Sequence, residues 1–353
     1  MGGGIAGCIA AISLVDDYHI TLIDKLHEPK ERIGESLAPA ANRILSELRL
    51  LEDMEQQSPT LFRQNLGMQS YWGSDQLQII DHMRNPDGFV KSLDRRMFEV
   101  FLREKAEERG VSCIWGSALH SSTFETDQWT IQLRSSDDHK QPQHITARYI
   151  IDASGRQSHF ARSIGIKRNA LDKLLACWVT VPNTEENTMS SISSSSNGWW
   201  YSSVVPNGKR VVAFHTDSDL IDKRTLKTAA SFVMLARENK HINPLLTGME
   251  TAIEFQGTTA ANSTKLERVS GAKWAAIGDA AVSFDPLSSQ GMFNAMASAM
   301  QLRSLINTFG FTQEVSTHYT HQVEQIWAHY LKHRSLFYSA EERWDDVFWK
   351  RRK

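Results

Sequence analysis

Cysteine is scarce in this sequence of 353 residues. The three cysteines, Cys8, Cys113 and Cys177, are far apart and odd in number. This pattern argues against a disulfide framework and against a zinc site built on cysteine ligands. The 13 histidines are scattered, and the helically spaced pair His318 and His321 lacks a third ligand. The sequence therefore predicts no metal site.

The sequence also lacks an excess of charge of either sign and a long run of apolar residues. The chain carries 39 basic and 41 acidic side chains, so its net charge does not favour nucleic acid or an anionic membrane as a partner. No apolar run reaches the roughly 18 residues of a transmembrane helix, and no signal peptide is recognisable. We therefore predict a cytoplasmic protein that binds neither nucleic acid nor membrane.

A glycine-rich loop opens the chain. Gly2-Gly3-Gly4-Ile5-Ala6-Gly7 fits the pattern G-x-G-x-x-G and precedes an apolar helix, whose N-terminus could bind a pyrophosphate. Asp24 ends the next predicted strand, about twenty residues later, where a carboxylate accepts hydrogen bonds from an adenosine ribose. Glycine-rich turns are common elsewhere, so the Asp24 strand strengthens the prediction. The strand expected before the loop is missing, and we expect the sequence to be truncated or to start at an internal methionine.

The order of patterns predicts the fold. Helical patterns at 40–56, 97–108, 292–309 and 314–337 combine with strand patterns at 18–24, 111–115, 145–152 and 274–277. Short β patterns fill 177–181, 199–205 and 211–215, and the serine-rich segment 190–196 is either a loop or a hydrated strand. We predict an α/β protein with a Rossmann-like lobe (1–64, 91–170 and 258–315), an inserted β-rich substrate lobe (65–90 and 171–257) and a C-terminal helical tail (316–353).

Three further motifs could approach a ligand. Arg32-Ile33-Gly34-Glu35-Ser36 suits a loop beside a planar molecule, although a capped turn would look the same. Asp94 can cap a helix whose first turn carries Arg95, and a surface helix start would share that pattern. An apolar strand ends in the turn Asp152-Ala153-Ser154-Gly155, whose small residues allow close approach of a cofactor.

The sharpest motif lies near the end of the chain. A predicted strand at 274–277 delivers Gly278 and Asp279 to its carboxyl edge, and Asp285-Pro286-Leu287 and Gln290-Gly291-Met292 follow. Ligands of α/β proteins bind at such an edge, and a helix beginning near Gly291 directs its positive end there. A ring that becomes anionic on reduction would be stabilised at this position.

Together these motifs resemble the flavoprotein monooxygenase family that includes p-hydroxybenzoate hydroxylase, geranylgeranyl reductase and flavin-dependent tryptophan halogenases. The resemblance implies FAD as cofactor and an FAD-dependent, monooxygenase-like oxidoreductase. It implies cofactor contacts from Gly2, Gly4, Ile5, Ala6, Gly7, Asp24, Lys25, Arg32, Glu35, Ser36, Arg95, Asp152, Gly155, Gly278, Asp279, Pro286, Gln290, Gly291 and Met292.

The same resemblance implies roles for some of these residues. Gly2, Gly4 and Gly7 would bind the pyrophosphate, and Asp24 the adenosine ribose. Arg95 would lie on the phosphate side and Asp279 at the ribityl hydroxyls, while Pro286 and the backbone of 290–292 would border the isoalloxazine ring. The catalytic residues stay unassigned, with Glu35 and Pro286 as candidates, and Asp285 and His82 as further possible bases.

A closer similarity is to flavoproteins that mature the cysteine tryptophylquinone cofactor of lysine and glycine oxidases. The segments that carry it are Tyr71-Trp72-Gly73, Leu93-Asp94-Arg95, Gly198-Trp199-Trp200-Tyr201-Ser202, and Trp344 with Trp349 in a basic C-terminal segment. The resemblance implies oxygenation of a tryptophan in the precursor of a quinone-cofactor amine or amino-acid oxidase. Core packing would explain the same tryptophans, so the burial of Trp72, Trp199 and Trp344 decides between the two explanations.

Other functions stay open at this point. A small-molecule aromatic hydroxylase or a prenyl reductase would share the fold, and a maturation chaperone could bind FAD without turnover. A tryptophan halogenase would need a Trp-x-Trp-x-Ile-Pro segment and a lysine between flavin and substrate. Trp199-Trp200-Tyr201 does not have that spacing, which disfavours halogenation.

Overall fold

A computed structural model describes residues 1–82, 85–137, 141–222, 226–249 and 251–353. The α-helices are α1 (Ile5–Leu14), α2 (Ala41–Glu47), α3 (Leu51–Gln56), α4 (Arg95–Glu108), α5 (His159–Ser163), α6 (Ala229–Ala236), α7 (Asn243–Leu246), α8 (Gly291–Phe309), α9 (Gln313–Ser339) and α10 (Val347–Lys350). Short 3₁₀ turns lie at Gly155–Gln157, Gly278–Ala280 and Pro286–Ser288.

The strands form several sheets. They are β1 (Thr21–Asp24), β2 (Ser36–Leu37), β3 (Phe62–Asn65), β4 (Gly67–Tyr71), β5 (Gln78–Asp81), β6 (Val90–Leu93), β7 (Ser112–Trp115), β8 (Ser117–Glu125), β9 (Gln128–Ser135), β10 (Gln143–Ala147), β11 (Ile150–Asp152), β12 (Arg168–Ala170), β13 (Leu174–Pro182), β14 (Ser190–Ser195), β15 (Gly198–Val205), β16 (Lys209–Asp217), β17 (Glu254–Ala260), β18 (Thr264–Leu266), β19 (Ser270–Gly271), β20 (Trp274–Ala276) and β21 (Val282–Ser283).

Helix α1 is buried along its whole length. All ten of its residues are buried, as expected for a helix that is apolar on every side. It packs between α4 and α8. No side chain caps its first turn at Gly4, so the N–H groups at this helix start have no side-chain partner.

Two pairs of parallel strands meet beside the glycine loop. β1 pairs with β7, and β11 pairs with β20. The Gly2 N–H donates to the Ile23 carbonyl (2.7 Å), and the Ala153 N–H donates to the Met1 carbonyl (2.7 Å). The backbone of Met1 and Gly2 therefore lies between β1 and β11. This arrangement gathers the carboxyl ends of both pairs at the loop, where α/β proteins bind their ligands.

The predicted helix at 40–56 is instead two helices. Arg49 has a left-handed backbone (φ 53°) between α2 and α3. Leu48 and Leu50 are both buried, yet residues two apart on one helix point in nearly opposite directions. The break lets both leucines reach the core, so the prediction of one continuous helix was wrong. The helices predicted at 292–309 and 314–337 are confirmed as α8 and α9.

A seven-stranded sheet combines strands from 67–81 with strands from 174–260. Its order is β17-β13-β16-β15-β14-β4-β5, and β15 and β16, which carry Trp199 and Val211, are neighbours in it. One face packs on α6 and α7 through Trp200 and Phe232 (5.4 Å between ring centroids). The opposite face, which we call the inner face, carries Trp199 and Tyr201, which belong to one hydrophobic cluster with Ile33 and Leu287.

The serine-rich strand β14 is buried, not hydrated. Residues 190–194 are all buried, and the Ser193 hydroxyl contacts Asn239 (3.3 Å). Ser194 donates to Glu341 (2.6 Å) and accepts from the Trp344 indole (3.0 Å). The segment is thus a strand, which was one of the two predicted alternatives, but the expected hydration was wrong because the C-terminal segment supplies partners for Ser194.

That C-terminal segment is anchored by buried groups. The Trp349 indole donates to the Ser195 carbonyl (3.0 Å), and the Arg352 guanidinium pairs with the carboxylate of Asp217. Arg352 and Asp217 are both almost completely buried. No helix in the described part of the chain is both long and apolar enough to span a membrane.

Candidate functional site

The glycine loop is closed by contacts that tolerate no side chain. A Cβ added at Gly7 would overlap the Gly2 carbonyl oxygen, and one added at Gly2 would overlap the carbonyl of Ala153. Gly4 is different, because a Cβ there would meet no atom within 4 Å. The loop is thus tight on its protein side and open at the start of α1, as a cradle for a phosphate requires.

Asp24 and Arg103 fix the shape of this loop. The Asp24 carboxylate accepts hydrogen bonds from Gly3 N–H (2.6 Å) and Leu26 N–H (2.7 Å). Arg103 lies 3.3 Å from the same carboxylate and donates to the Gly3 carbonyl (2.9 Å). Arg103 was not among the predicted site residues; the only sequence signal for it is a position beside the apolar stripe of α4.

The turn after β11 lies against the glycine loop. The carboxylate of Asp152, fully buried, accepts from Ser154 N–H (3.0 Å) and Ala161 N–H (2.9 Å). These bonds give Asp152 the role of shaping the turn. Gly155 takes a left-handed backbone (φ 67°), and the Gly155–Gln157 turn packs on the Gly278–Ala280 turn.

The carboxylate of Asp279, in the Gly278–Ala280 turn after β20, is partly exposed to solvent. Its side chain is 40% exposed and lies 3.6 Å from Arg156. Arg168 donates to the Asp279 carbonyl (2.7 Å), and burial lowers the pKa of Arg168 to about 10. Gly278, with φ 55°, leaves room for Ala6, since an added Cβ would lie 3.0 Å from the Ala6 Cβ. The α1 start and Asp279 are therefore held together.

We expect Asp279→Ala to weaken FAD binding. Loss of the hydrogen bonds that this carboxylate would accept from ribityl hydroxyls would cost about 1–3 kcal/mol, or roughly five- to hundredfold in the dissociation constant. FAD titration by flavin fluorescence measures the change. Asp127→Ala is the matched control, because Asp127 is an exposed aspartate paired with Lys273 (3.1 Å) on the surface. Equal FAD affinity in the two variants would show that Asp279 does not contribute to FAD binding.

Arg95 and Glu35 form a second part of the site. Asp94 caps α4 by accepting from Met97 N–H (2.9 Å), which confirms the predicted helix start. Arg95 then donates to the Gly34 carbonyl (3.0 Å) and to Glu99 (2.8 Å). The Arg95 Nε and the Glu35 Oε2 are buried and have no hydrogen-bond partner. Burial raises the pKa of the Glu35 carboxyl.

The third part is the segment from Asp285 to Met292. Asp285 is buried and accepts from Leu287 N–H (3.0 Å) and the Tyr338 hydroxyl (2.7 Å). Burial raises the pKa of Asp285. Helix α8 then starts at Gly291 with no side-chain cap, and it contacts β2, which continues from Glu35. Tyr338, from α9, was missed because its contact spans 53 residues.

Other candidate residues lie less centrally. Lys25 and Arg32 are exposed on the surface, whereas Met292 is buried. His82 follows β5, the edge strand of the seven-stranded sheet, where its N–H donates to the Leu66 carbonyl (3.0 Å). The three segments that converge are the glycine loop with its neighbouring turns, the Glu35–Arg95 pair, and 285–292.

The tryptophans of the inner face are largely used in packing. Trp199 is 2% exposed, stacks on His215 (3.6 Å) and donates to the Tyr338 hydroxyl (3.1 Å). Burial lowers the His215 pKa to about 3, which keeps it neutral. Trp72 and Trp344 are half-buried, and Trp72 donates to the Phe337 carbonyl (2.8 Å). Core packing therefore explains Trp199. Of these three tryptophans, only Trp72 and Trp344 keep part of the side chain exposed to solvent.

These features fit a dinucleotide cofactor such as FAD. The uncapped α1 start is open for a pyrophosphate, and the accessible Asp279 carboxylate can accept from hydroxyls. The buried Arg95 Nε and Glu35 Oε2 are left for groups outside the protein, since unpaired buried polar atoms are costly. No group of three metal-ligating side chains occurs within the described ranges.

Comparisons with known proteins agree with FAD as the cofactor. The family model described as tryptophan halogenase matches residues 88–353. An FAD-dependent oxidoreductase of Marinomonas mediterranea, LodB, is 27% identical over 100% of this chain and 95% of its own length. The tryptophan 2-halogenase of Chondromyces crocatus is 22% identical over 99% of this chain and 69% of its own.

Solved structures share the fold. The flavin-dependent halogenase CmlS superposes with a TM-score of 0.88 at 22% identity, covering 100% of this chain and 66% of its own. The peptidyl tryptophan dihydroxylase QhpG, essential for tryptophylquinone cofactor biogenesis, gives a TM-score of 0.79 at 22% identity, covering 99% and 77%. The predicted α/β architecture with its C-terminal helices is confirmed.

Proposed function

Because the chain belongs to the tryptophan halogenase family and is an FAD-dependent oxidoreductase, we propose that it oxygenates a tryptophan of a precursor protein. The reaction serves the biogenesis of a cysteine tryptophylquinone cofactor, and the partner is the precursor of a quinone-cofactor amine or amino-acid oxidase. The observation that carries the proposal is the match to LodB along 95% of that protein. The likeness to QhpG, a peptidyl tryptophan dihydroxylase, is consistent with it.

In this proposal the chain's own residues bind and orient the cofactor. Gly2, Gly4 and Gly7 receive the pyrophosphate, Asp24 the adenosine ribose, and Asp279 the ribityl hydroxyls. The segment from Pro286 to Met292 borders the ring, where the uncapped start of α8 stabilises negative charge. FAD supplies the oxygen chemistry, and the protein supplies orientation and exclusion of water.

The same proposal assigns the parts of the chain. Residues 1–64, 91–170 and 258–315 bind FAD, and residues 65–90 and 171–257 form the sheet whose inner face covers the ring. The C-terminal residues 316–353 brace that sheet. Contacts between Leu287 and the cluster that contains Trp199 and Tyr201 support this placement.

The position of Lys91 favours oxygenation over halogenation. Among the described residues, Lys91 is the buried lysine. Its amino group donates to Asn42 (2.7 Å), whereas the hydroxyl of the next residue, Ser92, contacts Ser203 of the inner face (3.2 Å). Neighbouring residues of a strand point to opposite sides. Lys91 therefore points away from the inner face, where a halogenase would need its lysine.

We expect product formation to be independent of halide. The FAD-loaded protein, a flavin reductant and oxygen are incubated with the unmodified precursor in chloride, bromide or sulfate buffer. Mass spectrometry should find the same oxygenated product in all three. Chlorinated and brominated products in the respective buffers, with none in sulfate, would identify a halogenase instead.

A further inference from the structure

One guanidinium joins the segments that surround Asp279. Arg168 lies in β12, the short strand that precedes β13 of the seven-stranded sheet, and β12 pairs with β18. Its side chain donates five hydrogen bonds to neighbouring segments, with the acceptors Thr264 Oγ1 (2.6 Å), Ser158 Oγ (2.6 Å), the Ala280 carbonyl (2.9 Å), the Asp279 carbonyl (2.7 Å) and Ser283 Oγ (2.9 Å). One side chain therefore connects β12, β18, β21 and two turns.

Arg168 has no donor left for a ligand. An arginine side chain carries five N–H groups and no acceptor, and all five of these groups bond inside the protein. A direct hydrogen bond to a cofactor would require one of these bonds to break. Any effect of Arg168 on a cofactor must therefore pass through the residues that it holds.

The residue that Arg168 holds at the proposed FAD site is Asp279. The Asp279 carboxylate lies 3.6 Å from Arg156 Nε, which is too long for a hydrogen bond. The position of this carboxylate is therefore set mainly by its backbone, and the carbonyl groups of residues 279 and 280 both accept from Arg168. The Ser158 hydroxyl donates to the same Ala280 carbonyl (2.8 Å). Arg168 and Ser158 thus lock the turn after β11 to the turn that carries Asp279.

We propose that Arg168 is a positioning residue for FAD binding, and that it acts through Asp279 by holding its backbone at the carboxyl edge of β20. The inference rests on the proposed role of Asp279 and is independent of the substrate. A hydrogen-bonding group of a site must be held close to its productive geometry to be effective. The planar guanidinium suits this task because it directs donors to several segments at once, whereas the donors of a lysine radiate from one atom.

The test is a double-mutant cycle on FAD affinity. FAD is titrated by flavin fluorescence into FAD-free wild type, Arg168→Met, Asp279→Ala and the double variant. Each single variant should bind FAD at least about fivefold more weakly than wild type. The double variant should bind within about threefold of the weaker single variant, because a carboxylate that is absent cannot be misplaced.

Arg210→Met is the matched control. Arg210 is a buried arginine on β16, and its guanidinium donates to Asn183, Ser202, Glu185 and the Asn187 carbonyl. The loss of its bonds should lower the unfolding temperature of the FAD-free protein, as Arg168→Met does, but FAD affinity should change by less than about twofold. Arg168→Lys replaces the methionine variant in the cycle if the latter does not fold, and it should weaken FAD binding in the same way.

Several results would overturn the inference. Arg168→Met with the FAD affinity of wild type would do so, as would an equal loss in Arg210→Met, which would indicate general destabilisation. A double variant whose loss equals the product of the two single losses would show that Arg168 acts independently of Asp279. An Asp279→Ala protein with unchanged FAD affinity would reject both the role of Asp279 and the inference. Oxygenation of the precursor by wild type is measured separately, so the proposed function is tested whatever the result of the cycle.

Discussion

Gly7→Ala should yield a protein that no longer retains FAD. The added Cβ overlaps the Gly2 carbonyl oxygen, so the loop must open or α1 must shift within a fully buried environment. Such overpacking costs about 3 kcal/mol, which corresponds to roughly a hundredfold loss of FAD affinity if the loop takes the strain. Purification should give a colourless protein with a lowered unfolding temperature.

Gly4→Ala separates cofactor binding from folding. Gly4 has φ −89°, which alanine adopts without strain, and its Cβ would meet no protein atom within 4 Å. The FAD-free variant should therefore unfold at the wild-type temperature. Its methyl group would occupy the space at the start of α1, and FAD should bind at least about tenfold more weakly. A Gly4→Ala protein that binds FAD as tightly as wild type would show that the loop is not the cradle.

Local sequence signals predicted much of this site. The Asp94 cap and the long helices α8 and α9 follow from residues close together in the chain. Caps and turns depend on such neighbours. The glycine loop and Asp24 were predicted to serve one site, and in the structure the Gly3 N–H donates to the Asp24 carboxylate.

Contacts between residues far apart in the chain were not predicted from the sequence. Arg103 reaches the Gly3 carbonyl across 100 residues, and Tyr338 reaches Asp285 from a distant helix. The buried serines of β14 depend on Glu341 and Trp344, so composition alone suggested hydration. The break between α2 and α3 arises because it allows both Leu48 and Leu50 to be buried in the core. Each case is decided by tertiary packing, which overrides local propensity.

A second large effect is expected on the precursor itself. If the chain oxygenates a peptidyl tryptophan, the yield of modified precursor depends on bound FAD. Wild type should modify the cofactor tryptophan, whereas Gly4→Ala, assayed without added FAD, should modify much less of it although it folds. Modification by the FAD-free variant would point to a chaperone without turnover. The precursor with its cofactor tryptophan changed to phenylalanine controls for oxidation at other sites.

The most direct measurement is mass spectrometry of that precursor after reaction with reduced FAD-loaded protein and oxygen. Isotopically labelled oxygen gas identifies the source of any added atom. We expect labelled oxygen on the indole of the cofactor tryptophan, and none on free tryptophan supplied as a competitor. Labelled oxygen on free tryptophan with an unmodified precursor would contradict the proposed function and indicate a small-molecule oxygenase of the same fold.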